Sequence, residues 1–214
     1  MSDKPKISGL YAITPDLNNT DVLLDKTQQV LAGGAQLIQY RNKSAHDALR
    51  RQQAGLLLKL CREYKVPLII NDHIELAAAL DADGVHVGRD DGSIGDARKQ
   101  LGQDKIVGAS CYNDLGRALQ AQALGSDYVA FGAFFPSLTK TDTVSASKKL
   151  VGQAKQKMTV PVVGIGGIRL ANAVTVIQSG CDAIAICNDL FTAENIQVRA
   201  RQYARLFTAH HQFN

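Results

Sequence analysis

The 214-residue chain lacks the features that mark several large classes of protein. No apolar run approaches the ~18 residues of a membrane-spanning helix, and residues 1–6 are too polar for a signal peptide, so we expect a cytoplasmic protein. The four cysteines form no Cys-x-x-Cys pair, which favours reduced, mostly buried thiols over a zinc site. A strong excess of one charge is also missing, because the chain has 24 Lys and Arg and 20 Asp and Glu. The basic residues are spread along the chain, so no nucleic-acid partner is expected.

What is present is a regular alternation of eight short β-rich runs with segments of helical periodicity. Most of the runs are continuously apolar, which is typical of parallel strands covered on both faces. The predicted strands are Leu10–Thr14, Leu37–Tyr40, Pro67–Asn71, Gly84–Val87, Ile106–Ser110, Tyr128–Gly132, Pro161–Ile165 and Ala183–Cys187. The predicted helices are Asp21–Ala32, Ala45–Tyr64, Ile74–Leu80, Asp96–Leu101, Asp114–Leu124, Ser145–Lys157, Leu170–Ile177 and Glu194–Phe207.

Eight strand–helix units of about 27 residues each predict an α/β protein with a parallel sheet closed into a (β/α)8 TIM barrel. The competing architecture is an open doubly wound sheet, which favours a Gly-x-Gly-x-x-Gly loop after the first strand. The sequence there reads Thr14-Pro15-Asp16 instead. Because no linker or low-complexity segment interrupts the pattern, residues 1–214 are predicted to form a single barrel domain.

Cationic side chains follow the second predicted strand. The carboxyl ends of all strands in such a barrel open onto one face, where the active site lies. In an extended strand Gln39, Arg41 and Lys43 share one side, with Tyr40 and Asn42 between them. Two neighbouring cations repel each other unless an anion lies between them, so this pattern indicates an anion site. The alternative is a solvated strand end.

Two carboxylates follow the third and fourth predicted strands. Asp72 comes after Asn71, and Asp91 follows the strand that ends at Val87. Neighbouring strand ends would bring them together, and Mg²⁺ is bound by one or two carboxylates together with waters and substrate phosphate oxygens. The alternative is a pair of aspartates that cap helices.

Hydroxyls and glycines follow the later strands. Such barrels commonly bind phosphate after the seventh and eighth strands, where glycines let backbone N–H groups approach closely. A Ser/Thr-rich turn is the alternative for the loop after the sixth strand. The residues concerned are Ser110, Ser137, Thr139, Lys140, Gly166, Gly167, Cys187 and Asn188. Three cations, a carboxylate pair and a separate phosphate site predict two phosphorylated ligands, one of them a diphosphate on magnesium. The chemistry indicated is transfer of an organic group from diphosphate to a phosphorylated acceptor.

Five motifs, in this order and spacing, resemble the thiamine-phosphate synthase family. They are Gln39-x-Arg41-x-Lys43, Asn71-Asp72, His86-x-Gly88-x-x-Asp91, Pro136-Ser137-x-Thr139-Lys140 and Ile165-Gly166-Gly167-Ile168. The resemblance runs from Gly9 to Asn188. It implies an enzyme that joins 4-amino-2-methyl-5-hydroxymethylpyrimidine diphosphate to a thiazole phosphate and releases diphosphate and thiamine phosphate. The implied reaction is a dissociative substitution assisted by one Mg²⁺ ion per active site.

The resemblance also implies a role for each site residue. The pyrimidine diphosphate would contact Gln39, Tyr40, Arg41, Asn42, Lys43, Asn71, Ser110 and Lys140; Mg²⁺ would be bound by Asp72 and Asp91; and the thiazole phosphate would contact Ser137, Leu138, Thr139, Gly167, Cys187 and Asn188. Arg41, Lys43, Lys140 and Ser110 are expected to be catalytic. No nucleophile or general base is required, so His86 is expected to be a hydrogen-bonded structural histidine.

Several departures from the family pattern and three alternatives bear on this reading. The departures are at Ala133, Ser137, Arg89 and the pair Asn188-Asp189. Asn188-Asp189 replaces a pair of small residues, and the Asp189 carboxylate is unfavourable beside a phosphate unless it points away. The alternatives are a thiazole tautomerase-like paralogue, a sugar-phosphate epimerase and a non-catalytic phosphate-ligand-binding barrel. The partners expected are two phosphorylated small molecules, with no nucleic acid and no membrane, and a homo-oligomer is left open.

Overall fold

The computed structural model describes residues 4–88, 92–135 and 148–211, in which strands and helices alternate. The strands are β1 Gly9–Ile13, β2 Leu37–Tyr40, β3 Leu68–Asn71, β4 Gly84–Val87, β5 Ile106–Tyr112, β6 Tyr128–Phe131, β7 Val162–Ile165 and β8 Ala183–Ile186. The helices are α1 Thr20–Ala32, α2 Asp47–Glu63, α3 Ile74–Ala79, α4 Ile94–Leu101, α5 Leu115–Ala123, α6 Lys148–Lys157, α7 Leu170–Ile177, α8 Asn188–Phe191 and α9 Ile196–His211. None of these helices is long and apolar enough to cross a membrane.

The eight strands form one closed parallel barrel in chain order. Tyr11 of β1 is paired with Leu37 of β2 on one side and with Ala185 of β8 on the other, which closes the sheet. The predicted (β/α)8 TIM barrel is therefore confirmed. The prediction succeeded because the strands of such a barrel are covered on both faces and read as continuous apolar runs.

Several elements differ from the predicted bounds by a few residues; for example, α2 is Asp47–Glu63 instead of Ala45–Tyr64, and α9 is Ile196–His211 instead of Glu194–Phe207. Helix α4 begins two residues before the predicted start, because the Ser93 and Asp96 side chains form a reciprocal capping box at its N-terminus. Strand β5 runs two residues further than predicted, with a register shift between Ser110 and Tyr112. Helix α8 was not predicted, since four residues are too few to show a helical period.

The apolar residues form two layers, one inside the barrel and one between the barrel and the helices. The inner layer includes Tyr11, Leu37, Ile69, Ile106 and Tyr128. Since alternate strand residues face the same way, the inner layer places four polar side chains inside the barrel near the carboxyl ends of their strands. These are Gln39, Asn71, His86 and Ser110.

An aspartate precedes each of β4, β6 and β8 at the opposite end of the barrel. Each carboxylate accepts a hydrogen bond from a backbone N–H at the start of the preceding strand. The pairs are Asp83 with Leu68 (2.8 Å), Asp127 with Val107 (2.7 Å) and Asp182 with Val162 (2.7 Å). This repeated contact ties neighbouring strands together at the face remote from the carboxyl ends.

Candidate active site

The two cations predicted at the end of β2 lie beyond the last strand residue, Tyr40, and are positioned by the end of β1. The Thr14 hydroxyl accepts a hydrogen bond from the Arg41 N–H (2.9 Å) and donates to the Arg41 carbonyl (3.0 Å). The Asp16 carboxylate accepts from the Lys43 N–H (2.9 Å) and from the Arg41 guanidinium (3.2 Å). Strand alternation therefore does not place Arg41 and Lys43; side chains that follow β1 do.

The side chains of Tyr40 and Asn42 are used within the protein. Both donate to the Oε1 atom of Gln53, a fully buried residue of α2, at 2.9 and 3.1 Å. Asn42 also donates to the Leu17 carbonyl (2.9 Å), and burial raises the pKa of Tyr40 to about 12. Tyr40 and Asn42, both predicted to contact the substrate, thus attach the segment after β2 to helix α2.

Asp72 lies at the mouth between β3 and β4 and meets two of the other predicted residues. Its carboxylate accepts from the Asn71 amide (2.5 Å) and lies 3.7 Å from the Lys43 ammonium. Its φ of +64° is in the left-handed region, which aspartate tolerates better than most residues, and its N–H donates to the His86 carbonyl (2.9 Å). The structure therefore brings Asn71, Asp72 and Lys43 together, as the sequence predicted.

A cavity of about 20 Å³ beside Asp72 has room for about one water molecule. Its lining residues are Tyr40, Asn42, Lys43, Arg50, Asn71, Asp72 and His73. The Asp72 carboxylate is a type of ligand that suits Mg²⁺, which takes one or two carboxylates. The several waters that the ion keeps would need the open mouth, because this cavity is too small for them. The second predicted ligand, Asp91, lies outside the described residues, and the described residues contain no cluster of three or more metal-binding side chains.

Ser110 lies inside the mouth and contacts a buried histidine. Its hydroxyl oxygen is 2.8 Å from Nε2 of His86, whose Nδ1 is 2.9 Å from the Tyr128 hydroxyl. Gln39, predicted to face the substrate, is also buried in this interior, and its amide donates to the Tyr11 hydroxyl (2.6 Å). The prediction of a hydrogen-bonded His86 is confirmed.

Only glycine fits at position 167, just after β7, where the chain passes close to the end of β6. Its φ is +64°, and a Cβ there would lie 2.5 Å from the Phe135 carbonyl oxygen. The Phe135 N–H donates to the Gly166 carbonyl (3.1 Å), so the end of β7 holds the segment that leads to residue 136. The predicted residues of that loop, Ser137, Leu138, Thr139 and Lys140, lie outside the described residues.

The residues after β8 reach the same mouth. Burial raises the pKa of the Cys187 thiol to about 11, and the charge of the Arg41 guanidinium acts in the opposite direction. Asn188 begins α8. The Asp189 carboxylate turns away toward α9, where it accepts from the Arg199 guanidinium and the Tyr203 hydroxyl, both at 2.6 Å. The sequence analysis allowed a phosphate beside Asn188 only if the Asp189 carboxylate points away from it, and the carboxylate does point away.

Comparisons with known proteins identify the family of the chain. A family model described as thiamine monophosphate synthase matches residues 10–190. A thiamine-phosphate synthase of Methylobacillus flagellatus is 55% identical over 203 residues, which cover 95% of this chain and 97% of the relative. One of Nitrosomonas eutropha is 51% identical over 205 residues, which cover 96% and 97%. The chain belongs to the thiamine monophosphate synthase family.

Family membership confirms the resemblance carried by the five motifs, and with it the prediction of a transferase of this family. A solved structure from the same family supports the barrel: a thiamine phosphate pyrophosphorylase from Pyrococcus furiosus has a TM-score of 0.84 and 32% identity, over 97% of this chain and 98% of that one.

Sequence reasoning missed three residues that hold the site together. Thr14 and Asp16 brace the segment after β2, and their signal was the polar Thr-Pro-Asp run at the end of the first strand. Arg117 of α5 donates to the carbonyls of Ser110 (2.9 Å) and Gly88 (3.3 Å), and so joins the ends of β5 and β4. No sequence signal distinguishes Arg117 from an exposed helical arginine.

Proposed function

We propose that this chain condenses 4-amino-2-methyl-5-hydroxymethylpyrimidine diphosphate with a thiazole phosphate, and releases thiamine phosphate and diphosphate. The observation that carries the proposal is the meeting of Arg41, Lys43, Asp72 and Ser110 at one mouth. The name thiamine-phosphate synthase, given to relatives that match nearly the whole chain, supports the same reaction.

Neutralising the departing diphosphate is the main electrostatic task of this reaction. A pair of unit charges 4 Å apart is worth about 4 kcal/mol at an effective dielectric constant near 20. Arg41 and Lys43 lie at the mouth, where they would meet the growing negative charge, and Lys140 is proposed to join them from the following loop. Such preorganised charge stabilises the transition state more than the ground state.

The Asp72 carboxylate and the neighbouring Lys43 ammonium suit a diphosphate bound to magnesium. Bound Mg²⁺ would supply further charge neutralisation and a template for the diphosphate oxygens. Asp72, with Asp91 as the proposed second carboxylate, would hold the ion at the mouth. The Lys43 ammonium, 3.7 Å from Asp72, lies where it can contact both this carboxylate and a phosphate oxygen.

The substitution needs no nucleophile from the protein. The C–O bond to diphosphate breaks first, and the electron-rich aminopyrimidine stabilises the cationic methylene until the thiazole nitrogen attacks it. Burial raises the pKa of Cys111 to about 12 and that of Cys187 to about 11, so both thiols are protonated at neutral pH and are poor nucleophiles. We propose that Gly167, Cys187 and Asn188, with Ser137, Leu138 and Thr139, hold the thiazole phosphate.

The direct test is to incubate the purified chain with both substrates and Mg²⁺ and to measure thiamine phosphate and diphosphate. We expect Arg41→Met and Asp72→Asn each to lower kcat about a hundredfold without a change in unfolding temperature. Arg201→Met, an exposed arginine of α9, is the matched control and should keep full activity. Absence of thiamine phosphate, or near-normal turnover of Arg41→Met at saturating substrate, would contradict the proposal. A chain that binds the thiazole phosphate but releases no diphosphate from the pyrimidine substrate in the presence of Mg²⁺ would instead favour the tautomerase-like alternative.

A further inference from the structure

Five side chains form one continuous hydrogen-bonded chain through the interior of the barrel. The Gln39 amide nitrogen donates to the Tyr11 hydroxyl (2.6 Å), which lies 2.8 Å from the Tyr128 hydroxyl. The Tyr128 hydroxyl lies 2.9 Å from Nδ1 of His86, and Nε2 of His86 lies 2.8 Å from the Ser110 hydroxyl. Four of the five side chains are buried, and Ser110 alone is half-buried at the mouth. The chain therefore links a buried amide to a hydroxyl of the candidate active site.

The direction of the first hydrogen bond determines the direction of the others, because each hydroxyl has a single proton. The Gln39 NH₂ group only donates, so Tyr11 accepts from it and must place its own proton elsewhere. Among the described residues, Tyr11 has one other hydrogen-bond partner, Tyr128, so its proton goes there. If Tyr128 donated to Tyr11 instead, the Tyr11 proton would be buried without an acceptor, which costs about 1–3 kcal/mol.

The same reasoning sets the tautomer of His86. Tyr128 accepts from Tyr11, so its own proton points at Nδ1 of His86. An imidazole that accepts at Nδ1 and is neutral carries its proton on Nε2, the atom that faces Ser110.

We propose that this chain makes Ser110 a hydrogen-bond donor to the substrate, with His86 as the positioning residue. His86 donates from Nε2 to the Ser110 oxygen, so the Ser110 proton is directed at an acceptor atom of the bound pyrimidine diphosphate. His86 acts only through Ser110 and does not touch the substrate. The inference rests on the proposed function in one respect, that Ser110 faces this substrate.

The arrangement differs from the Ser–His pair of hydrolases, although the distance is similar. There the histidine accepts the serine proton, and a carboxylate holds its other nitrogen in the required tautomer. Here the other nitrogen faces the phenol of Tyr128, and the proton already lies on the nitrogen next to Ser110. Ser110 is therefore not activated as a nucleophile, which agrees with a substitution that needs none.

The packing around Tyr128 and Ser110 holds both residues in the positions that the hydrogen-bonded chain requires. The Tyr128 ring crosses β5 where Gly108 lies: a Cβ on Gly108 would be 2.0 Å from the ring. The rings of His86 and Tyr128 are stacked with centroids 5.6 Å apart. The Arg117 guanidinium holds the Ser110 carbonyl (2.9 Å), so Ser110 is fixed at its backbone and at its hydroxyl.

The first test measures the tautomer of His86 by ¹⁵N NMR in histidine-labelled protein without substrates, and so does not depend on the proposed function. We expect a neutral ring with Nε2 protonated and Nδ1 unprotonated. Tyr128→Phe removes the donor to Nδ1 and should abolish this single tautomer. Thr27→Val, which deletes a buried hydroxyl that donates only within α1, should leave it unchanged. A wild-type ring protonated on Nδ1 overturns the proposal, whether or not Tyr128→Phe folds.

The second test compares kcat and KM for His86→Phe, Ser110→Ala and the double variant. We expect each single change to lower kcat at least about tenfold, with little change in KM. The double variant should be no slower than Ser110→Ala, because His86 has nothing to position once the hydroxyl is gone. His86→Gln, which keeps an N–H donor, should recover part of the loss. Losses that multiply in the double variant overturn the proposal. An inactive wild type contradicts the proposed function and leaves the NMR result to decide the tautomer.

Discussion

At the scale of single residues, the two described cations that follow β2 each have a carboxylate partner in the protein. Arg41 is paired with Asp16 at 3.2 Å and Lys43 with Asp72 at 3.7 Å. The repulsion between neighbouring cations that pointed to an anion site is thus partly relieved by Asp16. Both pairs are at least partly exposed to solvent, and exposed pairs contribute at most about 1 kcal/mol. A diphosphate, which carries more charge than one carboxylate, can therefore replace Asp16 at little cost.

Replacing Asp16 by Asn should strengthen the binding of inorganic diphosphate. The amide oxygen still accepts from the Lys43 N–H, but the charge that competes for Arg41 is removed. In Mg²⁺-free buffer, titration calorimetry should show Kd lowered about threefold. Asp25→Asn removes an equal charge from α1, where the Asp25 carboxylate accepts from Gln29 of the same helix, and should change Kd little. Unchanged or weaker binding by Asp16→Asn would mean that Asp16 does not compete with the ligand.

At the scale of elements, the short helix α8 depends on its neighbours for its position. Four residues do not form a stable helix alone. The Asp189 carboxylate binds two side chains of α9, and the Lys26 ammonium of α1 donates to the Phe191 carbonyl at the other end (2.9 Å). These contacts turn the carboxylate away from the mouth while Asn188 stays next to it. Asp189 is thus compatible with the proposed phosphate site because the tertiary structure directs its charge elsewhere.

Removing Arg199 should weaken both the fold and the proposed acceptor site. Arg199→Met leaves the largely buried Asp189 carboxylate with Tyr203 alone, which should lower the free energy of unfolding by about 2 kcal/mol. The unpaired charge and the loosened α8 should also raise KM for the thiazole phosphate.

Adding Asp189→Asn to Arg199→Met tests this explanation. It removes the charge that lost its partner, so stability and KM should both move back toward wild type. Arg201→Met on the exposed side of α9 serves as the control in urea unfolding and kinetics. If the double variant is no better than Arg199→Met, the Asp189 charge is not the cause.

At the scale of the whole molecule, the barrel was predictable from the sequence and much of the support for the site was not. Continuous apolar runs between helical segments reveal buried parallel strands in any register. The contacts of Asp16 with Arg41 and of Tyr40 with Gln53 depend on which strand ends and helices meet, and no local pattern encodes that. The orientation of Asp189 is settled by side chains of α9, ten and fourteen residues further along. Motif spacing identified the residue types at the mouth, whereas the hydrogen-bond chain behind Ser110 required the closed barrel.

The two ends of the barrel should respond to mutation in opposite ways. At the end remote from the mouth, Asp127 accepts from the Val107 N–H (2.7 Å) and pairs with Lys4 (2.7 Å) and with the nearly buried Arg98. Asp127→Ala leaves Arg98 without its carboxylate and should lower the free energy of unfolding by about 3 kcal/mol, as measured in urea. Asp127→Asn keeps an acceptor for the Val107 N–H and should lose less.

Below their unfolding temperatures, both Asp127 variants should keep the wild-type kcat and KM, because the contacts that the carboxylate makes with described residues all lie at the amino ends of the strands. Arg41→Met should show the reverse, with normal stability and lost turnover. This contrast follows from the architecture: contacts at the amino ends of the strands hold the barrel closed, while side chains at the carboxyl ends carry the chemistry. A fall in kcat for Asp127→Ala at a temperature where it is fully folded would show that strain at one end of the barrel reaches the other.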